Sequence, residues 1–382
     1  MSRYYVPFSP PILTGDPSAT PAIPASVWRS PVEAIVAPFK TTQVLTREGA
    51  KDLKKQLQEL RERGADSVPA IRDFLRSQQD VIFDKMPGGK LAEQPTLRLA
   101  LMDALRQIGG ADAIALSLEE FRMTRAPSEI AMLALNLEEL APGVYRDEAL
   151  RTVVGALQGL AQTKDPLEVR PLFEALQALG GPEAMTTLEQ LPHNADAVEY
   201  LRNKDTRISP AVATYALITL ASLPDGEGIS SLFDLAGDPT VPAAHRTAEP
   251  VRMLAQASAD QAQAAADLVA LAQWNQIPER AWNGVADALA GKQLQFPTPG
   301  AEGTPSARNE ASSSGVVAPF VRGFYDDQRN VLYEERSVLP TWSAAQIQQQ
   351  LALIDTLLGT TDAPAATQAL QRARQTLLGR GR

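Results

Sequence analysis

One pattern limits what this chain can fold into, and it occurs four times between Pro95 and Gly226. Each copy opens on a proline. A leucine follows ten residues later, a leucine or isoleucine three after that, and then a stop containing Gly or Pro. The copies are Pro95–Leu105–Ile108–Gly109-Gly110, Pro127–Leu137–Leu140–Pro142-Gly143, Pro166–Leu176–Leu179–Gly180-Gly181 and Pro210–Leu220–Leu223–Pro224. Their starts lie 32, 39 and 44 residues apart.

Each copy predicts one helix. Proline suits the first helical position, where its missing N–H removes no hydrogen bond. Asp165 and Ser209, each just before a leading proline, are good N-caps. Leu101, Met102, Leu105 and Ile108 in the first copy, and Leu172, Phe173, Leu176 and Leu179 in the third, fall on a single stripe. The Gly-containing stops predict left-handed C-caps. Second amphipathic segments lie between the copies, at Ala111–Phe121, Tyr145–Ala161, Glu183–Leu191 and Gly228–Leu235. The unit is therefore helix, tight turn, helix. A single pair cannot bury its apolar stripe, so neighbours must stack on it.

On these residues the chain resembles the HEAT/armadillo class of α-solenoids. The four proline-led helices carry the likeness, with GADSVPAIRDFL (Gly64–Leu75), GGPEAMTTLEQL (Gly180–Leu191) and DGEGISSLFDL (Asp225–Leu235). It spans Arg47 to Gly291, roughly two thirds of the chain. The expected fold is all-α: a right-handed solenoid of stacked helix pairs, with an extended N-terminal arm and a C-terminal helical hairpin. Members of such a class mostly hold other macromolecules, so the resemblance implies a non-catalytic scaffold for a protein or peptide partner.

Composition agrees. Hydrophobic residues make up 44% and aromatics only 5%, which suits a core of Leu, Ala, Val and Ile between helices. A net charge of −9 argues against a nucleic-acid grip, which needs a basic face. The absence of cysteine rules out disulfides, thiolate metal sites and cysteine nucleophiles. The longest uncharged run, Ile208–Pro224, sits in repeat register and reads as a buried helix; a membrane span wants about 20 apolar residues. No signal peptide opens the chain, which leaves a cytoplasmic or periplasmic setting.

Residues 1–45 are expected to form a Pro- and aromatic-rich extended arm, and 46–291 the repeats. Within 1–40 stand eight of the 29 prolines, together with Tyr4, Tyr5, Phe8, Trp28 and Phe39. Such an arm packs along its own helices or takes a partner. Thr46–Arg63 and Pro69–Arg76 predict the first pair. Phe83–Glu93, with KMPGGK, predicts a loop; it lacks the glycine spacing of a P-loop. Pro250 predicts a bend in the helix His245–Ala257. Gln261–Trp274 and Pro278–Ala290 predict the last pair. Residues 292–318 are expected to be an exposed linker. Residues 319–342 predict an extended segment or hairpin over one end of the solenoid. Ser343–Leu358 and Ala363–Leu378 then form the closing hairpin.

No constellation for chemistry emerges. His193 and His245 stand alone, so no transition-metal site is expected, and nothing calls for a cofactor. One enzyme reading has a physical route. HEAT-like DNA glycosylases use Trp, Asp and Arg on a concave face, and Trp274, Arg280, Trp282 and Asp287 stand close in this sequence, although its charge opposes it. The preferred reading puts a partner against the proline-led helices, with Arg98, Asn136, Arg170, Tyr215, Arg246 and Asn283 as candidate contacts.

Overall fold

A computed structural model describes residues 31–41, 44–160, 166–194, 210–237, 248–296, 321–325 and 331–380. The described chain is mostly helical. The helices are α1 (Pro31–Val36), α2 (Arg47–Arg63), α3 (Val68–Arg76), α4 (Leu97–Ile108), α5 (Gly110–Met123), α6 (Pro127–Leu140), α7 (Arg146–Leu160) and α8 (Pro166–Leu179). They continue as α9 (Pro182–Asn194), α10 (Pro210–Ser222), α11 (Ile229–Gly237), α12 (Ala248–Ala257), α13 (Ala262–Gln273), α14 (Trp282–Leu289), α15 (Ala344–Thr360) and α16 (Pro364–Arg380). Among the described residues no helix is long and apolar enough to cross a membrane.

Local chemistry sets these boundaries. Pro127, Pro166 and Pro210 are the first residues of α6, α8 and α10. Pro95 instead precedes the cap: Thr96 accepts from the Leu99 N–H at 3.2 Å, and the Pro95 carbonyl accepts from Phe83 N–H at 2.8 Å. Asp165 and Ser209 lie outside the described residues. Gly109 ends α4 at φ +68°, a conformation most side chains resist. Ser343 and Gln346 form a reciprocal capping box at α15.

The helices contact one another in two series. In the first, α2 packs on α4, α4 on α6, and so on through α8, α10, α12, α14 and α16. In the second, α3 meets α5, and α7, α9, α11, α13 and α15 follow pairwise. An Arg122–Glu148 ion pair at 2.7 Å bridges α5 to α7. One apolar core runs between the series. Polar side chains link neighbours: Asn136 Nδ2 donates to the Met102 carbonyl at 2.9 Å, and Ser231 Oγ to Glu189 Oε1 at 2.6 Å.

Three expectations need correction. Residues 31–41 are not part of an extended arm. Val32, Ile35 and Val36 are spaced to share one helical face, Pro31 starts the turn, and α1 buries that face against α2 and α3. Prolines dominated the composition and hid this short helix. Next, Pro250 does not break α12. It lies in the first turn, where its missing N–H had no helical partner to lose.

The third correction concerns the sheet. Lys292–Gln295 is a strand (β1), not exposed linker, and Leu294 is buried. It pairs antiparallel with β3 (Val331–Ser337), which also pairs antiparallel with β2 (Val321–Tyr325), in the order β1-β3-β2. The hairpin does not cover an end of the helical array. It lies against the later helices of the first series, with β3 on α10 and β1 on α14. The short β1 has no alternating pattern strong enough to read, because its pairing partner lies some forty residues on.

The KMPGGK segment is a loop, as expected, and its glycines serve close packing. A Cβ on Gly89 would stand 1.7 Å from the Phe83 carbonyl oxygen, and one on Gly88 2.0 Å from that of Leu45. The Leu45 N–H donates to the Pro87 carbonyl at 2.9 Å and pins the loop beside α2.

Candidate functional site

Helices of the first series are flanked by neighbours on both sides and by the second series behind. Only a narrow strip of each remains uncovered. Counting from the leading proline, the strip falls on the eighth residue: Asp103, Leu135 and Glu174 are all partly exposed. The fifth and twelfth positions share this face by helical spacing; Met132, Pro171, Gln107 and Glu139 are uncovered there, while Ala100, the fifth residue of the first copy, is buried. The fifth and eighth positions of α10 are closed, whereas its twelfth, Ser222, is partly exposed. Ile218 is 1% exposed and Tyr215 0%.

The chain's own sheet packs beside this part of α10. Tyr215 packs between Phe173 of α8 and Phe296, just after β1, with ring centroids 5.6 and 5.5 Å away. Gln256 of α12 accepts from Leu294 N–H at 2.8 Å and donates to its carbonyl at 2.9 Å, so it joins the sheet as another strand would. Arg252 of α12 forms a buried ion pair with Glu335 of β3. Tyr333 bonds Thr214 of α10; burial and the nearby Glu249 carboxylate push its phenol pKa up. Glu334 and Glu335 point to opposite faces, as strand neighbours must. Both are buried: Glu335 on Arg252, and Glu334 with Arg336 at 2.6 Å.

Towards the N-terminus the strip is open and charged. Arg106 joins Asp103 at 2.9 Å and Glu139 at 2.8 Å, and Arg61 lies 3.5 Å from Asp103, so one ion-pair chain crosses α2, α4 and α6. It ends in a cleft of about 310 Å³ between α2, α4 and the KMPGGK loop. Leu53, Leu57, Phe83, Leu91 and Ala100 supply apolar walls, and Arg47, Lys51, Lys54, Arg61, Glu93 and Asp103 the charges.

The six residues picked from the sequence are scattered. Arg98, Asn136 and Tyr215 are buried, so no partner can reach them on a surface. They sit at the third, ninth and fifth positions after their prolines, where a neighbouring helix or the sheet covers them. Arg98 ties four elements together. It bonds Glu129 of α6 through Nε at 2.6 Å and Nη2 at 3.1 Å, and donates to the Leu75 carbonyl of α3 at 2.7 Å. It also lies 3.5 Å from Glu120 of α5, whose carboxyl pKa is pushed up by burial against the pull of that guanidinium. Arg170 is half-buried at the strip's edge and pairs with Glu174 at 3.3 Å. Asn283 is exposed and accepts from Arg372 Nη2 of α16 at 2.6 Å. Arg246 lies outside the described residues.

The glycosylase residues do not converge. Trp282 is core, Asp287 pairs with Lys292 at 2.8 Å, Arg280 is exposed, and Trp274 stands 60% exposed beside Phe233. A buried Trp282 cannot stack on a base. Among the described residues no group of three or more His, Asp or Glu could hold a metal ion. No family model, curated protein or solved structure matches the chain.

Proposed function

We propose that this chain is a right-handed α-solenoid of the HEAT/armadillo kind and a non-catalytic scaffold. It would hold a protein or peptide partner along the strip from α2 to α8. One observation supports the reading: the eighth repeat position is partly uncovered on α4, α6 and α8 and buried on α10, beside the chain's own sheet. A face that takes an extended segment of the chain itself over α10 has the shape to take another over α4–α8. The mixture of Met132 and Leu135 with Arg106, Glu139 and Glu174 favours a partner with both apolar and charged side chains. The net charge of −9 speaks against nucleic acid.

Site-specific photo-crosslinking in the cell of origin tests this. A benzophenone side chain at Leu135 or Glu174 should capture a discrete protein adduct, and one at Met123, exposed on the second series, should not. Equal capture from all three positions, or none from the strip, would count against the scaffold reading.

A further inference from the structure

We infer that the cleft between α2, α4 and the KMPGGK loop binds a small amphipathic carboxylate of roughly ten heavy atoms, an apolar chain ending in one negative charge. This goes beyond the scaffold reading and does not depend on it.

The shape comes first. A volume of about 310 Å³ lies at the lower end of the range for small-molecule pockets. Its walls are held, because the loop is pinned on Leu45 and leaves no room for a side chain at Gly88 or Gly89. Leu57, Phe83 and Ala100 form an apolar interior.

Charge then selects the ligand. Arg47, Lys51 and Lys54 follow at i, i+4 and i+7 along α2 and line one side. With Arg61 they make four cations against two carboxylates, Glu93 and Asp103, a local excess of two positive charges on a chain of net −9. Both carboxylates are already engaged, Glu93 by Lys54 at 2.5 Å and Asp103 by Arg61 and Arg106. Among the described residues Arg47 and Lys51 have no acidic partner. An apolar ligand without charge would leave them idle, and a cation would be repelled.

Leu91, 47% exposed, lines the mouth of the cleft and leaves an apolar surface there for a ligand to cover.

The full-length chain can be titrated calorimetrically with octanoate, octanol and octylammonium. Octanoate should bind saturably at one site, at least fivefold more tightly than octanol, and octylammonium should not bind. The R47Q/K51Q double variant should lose that preference while keeping octanol affinity. Leu91→Asp, a change at a half-exposed position, should weaken octanoate at least fivefold without moving the melting temperature. Equal binding of octanoate and octanol, unchanged octanoate affinity in R47Q/K51Q or in L91D, or non-saturable uptake would each overturn the inference.

Discussion

Arg98 shows what a polar residue does inside a stacked helical array. Its guanidinium faces Glu129 and Glu120 and reaches the last turn of α3, so four helices share one charge. Breaking a buried pair strands the remaining charges, and removal of one partner costs about 3–5 kcal/mol. Arg98→Ala should therefore lower stability by about that amount in a denaturant titration; a loss below about 1 kcal/mol would mean the site is wetter than described. Glu120 adds a pH signature. Its folded pKa is raised by burial, so the folded chain keeps this proton to higher pH than the unfolded chain. Stability from this group is thus greatest in acid and is lost as pH rises through the folded value. The stability of Glu120→Gln relative to the wild type should climb between about pH 4, near an ordinary carboxyl pKa, and neutrality. A flat difference would contradict the raised pKa.

At the scale of elements, the ends of the array and its sheet separate this account from the simpler one of an arm and a linker. If α1 closes the first pair, Ile35→Ala should cost about 2–5 kcal/mol, the usual loss for a buried isoleucine. An extended arm would lose almost nothing. If β1 and β3 are docked on α10 and α12 through Arg252, Glu335 and Gln256, Arg252→Ala should speed amide exchange in β1 and β3 while leaving α2–α6 unchanged. Faster exchange everywhere would instead make the pair a global stabiliser. The helices themselves were legible in sequence because a leucine stripe, a proline start and a glycine stop are local signals. α2, α15 and α16 fall within two residues of expectation at each end for the same reason. α1 and β1 were not legible. A six-residue helix among prolines and a four-residue strand take their meaning from distant partners.

Of the six residues chosen from the sequence, Arg98, Asn136 and Tyr215 are buried, while Arg170 and Asn283 keep exposed surface. Arg98, Asn136 and Tyr215 stand out in sequence as polar or aromatic interruptions of a leucine pattern. In the folded molecule such interruptions are the ties between neighbouring helices. The uncovered positions, Asp103, Leu135 and Glu174, share only their distance from the leading proline and no residue type. Their common register could have been counted; the covering of α10 by a sheet from beyond residue 291 could not.

At the scale of the whole molecule, the central claim is one strip on stacked helices, open over α4–α8 and closed over α10 by the chain itself. The native chain has no cysteine, so single thiols report it directly. Cysteine placed at Leu135, Glu174 and Ile218 occupies the same repeat position on three successive helices of the first series. Maleimide labelling of the native protein should be fast at 135 and 174. At 218 it should be slower by orders of magnitude, becoming fast in the Arg252→Ala background. Equal rates at all three sites would contradict the account.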